Sequence, residues 1–365
     1  MDNNKFNKRL ANIPASVWSK ISEIKRLQGQ WVSGANLSPQ VLGRLKKFVL
    51  SSSTGASTRI EGAKLSDEDV EKLMRGIGLQ KFSERDKGEV KGYYELLNIV
   101  FENWRSIRFS ESMVKHFHKE LLKYVEKDAR HRGNYKTGEN KVVMTDEKGK
   151  VIATVFNPTP AYLVPKEMPE LVEWTVAALK EQTIEPLLVI ANFIAEFLNI
   201  HPFQDGNGRA SRILTNLLLL QAGYLYMPYV SHEKLVEDNK TEYYIALRRS
   251  QKTFSSAEVR LRRTKAGKSK KENINPWLEF FFDILLQQSQ MAMKLLSKEN
   301  LERTLSSLQN KVWQYLQNVG EAAPKQISEN TQVYRPTINQ VLEKLLELKL
   351  IERIGLGRAT RYRKM

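Results

Sequence analysis

The segment His201-Pro-Phe-Gln-Asp-Gly-Asn-Gly-Arg-Ala-Ser-Arg212 constrains this chain more than any other feature. It lies between two apolar stretches at helical spacing, Leu187 to Ile200 and Ile213 to Ala222. Two helices must therefore be joined by a tight bend that glycine permits. A Gly-rich bend at a helix start leaves the first N–H groups without intrahelical partners. It also points the positive end of the helix dipole at whatever binds there. Arg209 and Arg212 are three positions apart, share one face of the helix, and can grip one polyanion. Asp205 offers a hard oxygen ligand for Mg²⁺, and His201 can take or give a proton near neutral pH. Together these residues describe a site that moves a phosphorus-containing group from a nucleotide.

The segment resembles the Fic family, whose signature reads H-x-F-x-[DE]-G-N-G-R-x-x-R. His201, Phe203, Asp205, Gly206, Asn207, Gly208, Arg209 and Arg212 match every fixed position. The resemblance implies a protein adenylyltransferase, moving AMP from ATP to a Ser, Thr or Tyr hydroxyl of a protein, itself included, with release of pyrophosphate. It implies that His201 is the general base and that Asp205 holds Mg²⁺. Gly206, Asn207, Gly208 and neighbouring N–H groups would form an anion hole, and Arg209 and Arg212 would hold the β- and γ-phosphates. Ile200 and Phe203 are expected to anchor the core, and Pro202 to shape the turn.

A second string, Ser57-Thr-Arg-Ile-Glu61-Gly62, lies far upstream. Ser57 and Glu61 are i and i+4, one above the other on a helix, and Gly62 suits a helix end. The string is similar to the [ST]-x-x-x-E-[GN] motif of the Fic inhibitory helix, expected here at about 51–64. That resemblance implies that Glu61 pairs with Arg212. An arginine so paired cannot also neutralise a γ-phosphate, and the carboxylate repels that phosphate. Ser51-Ser-Ser-Thr-Gly55 reads as a flexible lead-in to this helix.

Apolar residues at helical spacing dominate elsewhere, as in Val41/Leu45/Phe48, Tyr93/Leu96/Leu97/Val100 and Val189/Phe193/Ile194/Phe197. One segment reads as a hairpin: Val142 to Thr145, a Gly149-bearing turn, and Val151 to Phe156. It falls where the family places its flap, beside the active site, and an exposed edge there would pair with an extended target segment. Downstream, Tyr243 and Tyr244 resemble the family's Tyr-Tyr-x-x-Leu segment bordering the nucleoside pocket, with one of the pair expected in the core. Zinc chemistry is the rival reading. His116 and His118 alternate around a helix and point to different faces, and there are no cysteines. His118 is therefore expected to cap or pack.

The last part of the chain predicts helices at Lys311, Pro324 and Tyr334, then two short strands around a Gly-containing turn from Leu350. This resembles a winged helix-turn-helix. Arg335, Thr337, Asn339 and Gln340 would start its third helix, with Arg358 and Arg361 on the wing. Such domains bind DNA or protein, and basic residues alone speak to phosphate rather than sequence. The expected fold is mostly α: a Fic-type helical core with a small β-hairpin flap, then a C-terminal winged helix. The expected boundaries are 1–110 for an N-terminal helical region, 111–300 for the catalytic domain and 305–365 for the winged helix. A DNA-binding regulator that uses the Fic core as a nucleotide sensor is the alternative reading.

With 365 residues, 41% of them hydrophobic, the chain can build one large and one small domain. The lack of cysteine excludes disulfides and thiolate metal sites and fits a reducing cytoplasm. The first residues lack the apolar run of a signal peptide, and no stretch reads as a membrane span. Net charge is +17, and Arg260 to Lys271 holds seven basic residues and no acid, a run that reads as a solvated loop. The expected partners are ATP, target proteins and, through the winged helix, DNA. A homodimer stays open.

Overall fold

The structure, a computed structural model, describes residues 5–34, 37–140, 142–145, 151–156, 158–251, 273–348, 350–355, 357 and 360–364. The basic run at Arg260, the turn of the expected flap and Arg358 lie outside the described residues.

Contacts divide the chain into two compact units, Met1–Met293 and Lys294–Met365. The first contains α1 (Lys5–Arg9), α2 (Ala15–Gly34), α3 (Pro39–Ile60), α4 (Asp67–Met74), α5 (Glu84–Asn103) and α6 (Glu111–Leu121). A hairpin of β1 (Val142–Thr145) and β2 (Val151–Phe156) follows, and then α7 (Val164–Glu181), α8 (Pro186–Ile200), α9 (Asn207–Gln221), α10 (His232–Asp238) and α11 (Lys240–Gln251). The long α12 (Asn275–Thr304) begins in the first unit and ends in the second. The fold is the helical one that the apolar spacing predicts, and none of its described helices is long and apolar enough to cross a membrane.

Two helices form the centre. Every residue of α8 from Leu187 to Ile200 is buried, as are those of α9 from Arg209 to Leu220. A helix apolar all round must be wrapped by others, and α7, α9, α5 and α3 do the wrapping here. Serines at positions 38, 66, 83, 110 and 231 cap the starts of α3, α4, α5, α6 and α10. Each satisfies an N–H that the helix itself leaves unpaired.

Residues 51–55 are not a flexible lead-in. They are the interior of the 22-residue α3, and Ser52, Ser53, Thr54 and Gly55 are buried. Small side chains let α3 sink between α5 and α10, so the expected inhibitory helix is the C-terminal part of a longer, packed one. It ends at Ile60, and Gly62 follows at φ +104°, a conformation glycine adopts without strain. Within the first unit, α3 packs on both α9 and α10.

The hairpin forms as expected. β1 and β2 run antiparallel with Val142 opposite Phe156 and Thr145 opposite Val151, and two register irregularities interrupt the ladder. The backbone of β2 lies against α11.

The second unit holds α13 (Ser307–Val319), β3 (Glu321–Ala322), α14 (Pro324–Thr331), α15 (Arg335–Glu347), β4 (Ile351–Ile354) and β5 (Arg361–Lys364). Its sheet is antiparallel, in the order β3-β5-β4. Val312, Leu316, Ile327, Ile338, Leu342, Leu345 and Ile351 form its core. The three helices and two final strands were legible in the sequence. The two-residue β3 was not, because nothing in Glu321-Ala322 distinguishes a strand from a loop.

Candidate active site

The bend between α8 and α9 is held from several sides. α8 ends at His201, whose φ of 51° turns the chain and whose N–H donates to the Phe197 carbonyl at 2.9 Å. Gly206, at φ +78°, starts α9, and no side chain caps that helix start. Asn207 closes the loop on itself. Its Oδ1 accepts from the Phe203 N–H at 2.9 Å, and its Nδ2 donates to the Phe203 carbonyl at 2.8 Å. The Asn207 side chain is thus occupied, and only its main-chain N–H is left for an anion. Phe203 and Ile200 are fully buried, as expected of anchors.

His118 packs beneath the bend rather than ligating a metal. Its ring stacks on Phe203 at 3.8 Å with an interplanar angle of 2°. Nδ1 accepts from the Gly133 N–H at 3.0 Å, which assigns the proton to Nε2 and a donor bond to the Asp205 carbonyl at 2.9 Å. Burial lowers its pKa to about 4, so it stays neutral. His116 is exposed on another face of α6.

His201 is also held neutral. Burial, then the nearby Lys136 charge, lowers its pKa to about 4, against the opposing pull of the Leu198 carbonyl, Glu61 and Asp205. Its Nδ1 lies 3.3 Å from the Leu198 carbonyl, which assigns the proton to Nδ1 and a lone pair to Nε2.

Asp205 and Arg209 belong to a four-residue charge network with α5. Arg85 Nη2 donates to Asp205 Oδ2 at 2.6 Å and its Nε to Glu89 Oε1 at 2.8 Å. Arg209, only 2% exposed, has Nη1 2.9 Å from Glu89 Oε2 and Nη2 3.3 Å from Asp205 Oδ2. Burial pushes the Asp205 carboxyl up, but Arg209, the Gly206 N–H and Arg85 outweigh it and hold it below its usual range. Gly88 and Gly92 let α5 lie close against the end of α6, since a β-carbon at either would overlap the Tyr124 or Leu121 carbonyl.

Arg212 meets the end of α3. Its Nε donates to Ser57 Oγ at 2.7 Å, and its Nη2 donates to the Ser57 carbonyl at 3.0 Å and to Glu61 Oε1 at 2.7 Å. Burial disfavours the Arg212 charge, yet Glu61, Tyr243 and Tyr93 raise its pKa further. The pair that the second motif implies is therefore present. A β-carbon on Gly208 would overlap Glu61 Oε1, so the carboxylate rests directly on the first turn of α9. Arg59, two residues before Glu61, ties the same helix end to Glu237 at 2.6 Å and Asp67 at 2.8 Å.

Tyr243 is buried against Phe280 (5.7 Å between ring centroids) and Trp277 (6.0 Å), which makes it the core member of the tyrosine pair. Tyr244 is half-buried and stands edge-on to Tyr243 at 5.2 Å. Glu61 and Arg212 act electrostatically on both rings.

Among the described residues no group of three or more His, Asp or Glu side chains could hold a metal on its own. Asp205 Oδ2 does accept a cation, because a guanidinium already sits on it. Mg²⁺ commonly takes one or two carboxylates and completes its shell with phosphate oxygens and water. One carboxylate beside an uncapped helix start fits that habit.

In the second unit, Arg335, Asn339 and Gln340 are exposed at the start of α15 and Thr337 is half-buried. Arg361 is exposed and pairs with Glu321 at 3.2 Å.

Sequence reasoning missed Arg85, Glu89, Tyr93, Lys136, Asn216 and Glu233. Tyr93 and Asn216 both donate to the fully buried Glu233 Oε1, at 2.9 and 2.6 Å, behind Arg212. Glu89 left one signal, a carboxylate on the buried stripe of α5.

Residues 108–219 match the Fic/DOC family model. The chain is 27% identical over 195 residues to a probable protein adenylyltransferase of Aquifex aeolicus, covering 52% of this chain and 53% of that protein. It is 30% identical over 95 residues to a protein adenylyltransferase of Caenorhabditis elegans, covering 25% of this chain and 17% of that one. The chain thus spans about half the length of the first of these relatives and less of the second. Its fold is similar to a Fic family protein from Desulfovibrio desulfuricans, with a TM-score of 0.58, 21% identity and 97% of each chain covered. A Fic domain-containing signaling protein from Bacteroides thetaiotaomicron gives a TM-score of 0.56 at 22% identity, over 76% of this chain and 97% of that one.

Proposed function

The chain carries a Fic/DOC-family domain at residues 108–219, and from that premise we propose that it is an autoinhibited protein adenylyltransferase. The observation that carries this reading is the bend itself. It combines a neutral imidazole, an uncapped helix start and two buried arginines within twelve residues.

In the forward reaction the target hydroxyl gives its proton to His201 Nε2 as its oxygen attacks the α-phosphorus of ATP. The bond from that phosphorus to the bridging oxygen of the β-phosphate breaks, and pyrophosphate leaves. The N–H groups of Asn207 and Gly208 stabilise charge on the α-phosphate, where donors fixed in advance act most strongly. Arg209 and Arg212 hold the β- and γ-phosphates. Mg²⁺ bound by Asp205 and phosphate oxygens would supply further charge neutralisation. Tyr244 borders the nucleoside, and the backbone edge of the hairpin receives an extended target segment.

Glu61 inhibits in two ways. It occupies the Arg212 guanidinium, and it covers Gly208, where the anion hole begins. ATP then binds with its α-phosphorus out of line for attack.

We further assign the second unit to the winged-helix class, with Arg335, Asn339 and Gln340 as its exposed recognition residues and DNA as the partner to test. This keeps a second reading alive: a DNA-binding regulator whose Arg212–Glu61 lock makes the first unit a nucleotide sensor.

The two are separated by incubating the protein, with Mg²⁺, with ATP labelled at the α- or the γ-phosphate. Transfer of the α-label alone to protein supports the enzyme. Tight binding without transfer, in the wild type and in Glu61→Gly, supports the sensor. His201→Ala should abolish transfer while nucleotide binding persists.

A further inference from the structure

Lys136 is a buried charge that the reaction above does not use. It is 3% exposed. Its ammonium donates to Asn140 Oδ1 at 2.8 Å and to the Ile200 carbonyl at 3.3 Å, both uncharged oxygens. Its main-chain N–H donates to the Pro202 carbonyl at 2.8 Å, and Asn140 Nδ2 donates to the Phe203 carbonyl at 3.0 Å. Residues 136–140 thus hold the carbonyls of residues 200, 202 and 203, on both sides of His201.

That grip has a task. His201 is a non-glycine residue at φ 51°, a conformation costing on the order of 1 kcal/mol that persists only when the surroundings enforce it. We propose that Lys136 is a positioning residue for His201, fixing through its ammonium and main chain the bend that presents the imidazole to the target hydroxyl. The inference rests on His201 as the base.

The charge adds a second effect. Of the charged groups named above, Glu61 and Asp205 favour the His201 imidazolium, and Lys136, together with burial, disfavours it. Burial lowers the Lys136 pKa to about 8, with Glu139 and Glu167 opposing. Near neutral pH the ammonium is therefore charged and helps keep His201 ready to accept a proton.

The test uses Lys136→Met, which keeps the aliphatic stem, and Lys136→Arg, which restores a cation. Protein labelled with ¹⁵N-histidine is titrated by NMR, with the His201 resonances assigned by their loss in His201→Ala. Lys136→Met should raise the His201 midpoint by about one unit, a plausible size for removing one buried neighbouring charge, and Lys136→Arg should return most of it. In a Glu61→Gly background, kcat for α-label transfer should fall roughly tenfold in Lys136→Met, about 1.4 kcal/mol of barrier, with the KM for ATP little changed. If Lys136→Met does not fold, Asn140→Ala, which removes the shorter of the two bonds holding the ammonium and frees the Phe203 carbonyl, should shift the midpoint in the same direction. A midpoint unmoved in folded variants, with kcat intact, overturns the proposal. Absence of transfer in Glu61→Gly alone would instead sink the adenylyltransferase reading, and the titration would still decide the role of Lys136.

Discussion

Glu61 Oε1 lies 2.7 Å from Arg212 Nη2, and the same oxygen fills the space above the Cα of Gly208. One carboxylate thus engages both the arginine proposed to hold the γ-phosphate and the start of the helix proposed to hold the α-phosphate. The Glu61 side chain is a third exposed, whereas that of Arg212 is 4% exposed. The arginine is therefore a fixed, desolvated charge, and the glutamate is the partner able to leave.

Gly208→Ala should act through Glu61. A β-carbon there meets the far end of a side chain, which must move aside. We expect the substitution to destabilise the protein by about 1–3 kcal/mol, the usual cost of overpacking. Most of that cost should vanish in the Glu61→Gly background. Thermal unfolding of the two single variants and the double variant gives the coupling directly, and additive shifts would show that the two residues do not meet.

The rate of transfer should not report an ordinary histidine. With a His201 pKa of about 4, the base is already deprotonated at neutral pH. In Glu61→Gly protein, kcat/KM should be flat from about pH 6 to 7.5 and fall only at lower pH. An inflection near 6.5 would mean that the imidazole is not desolvated as described.

His118 should make folding acid-sensitive. Its folded pKa of about 4 lies below its unfolded value of 6.5, so the unfolded chain takes up a proton that the native ring refuses. The stability this neutral ring contributes is fully present above pH 6.5 and is lost as pH falls toward 4. His201 and His232 are shifted in the same direction, so the wild type should lose stability from all three. His118→Gln should lose about 2 kcal/mol less than wild type between about pH 7 and pH 5. Denaturation midpoints at the two pH values check this, and equal losses would contradict it.

What the sequence made legible was local. Gly206, Asn207 and Gly208 announce a bend before a helix, and the apolar runs around them announce the two central helices. The Ser57–Glu61 spacing places both residues on one helix face, and the structure puts that face on Arg212. Arg85 and Lys136 were not legible, because their partners come from distant parts of the chain and nothing in their own neighbourhoods marks them, and Glu89 left only a carboxylate on the buried stripe of α5. Ser51–Gly55 misled for the opposite reason. Serine and glycine suggest a loop by composition, but here their small size lets a helix pack closely between two others.

The central claim is that Glu61 restrains an otherwise complete transferase site. The most direct measurement compares wild-type and Glu61→Gly protein for transfer of α-labelled phosphate from ATP onto protein, at equal concentration and with Mg²⁺. Glu61→Gly should be faster by at least about tenfold, equivalent to ~1.4 kcal/mol of barrier. Equal rates in the two proteins would contradict the account.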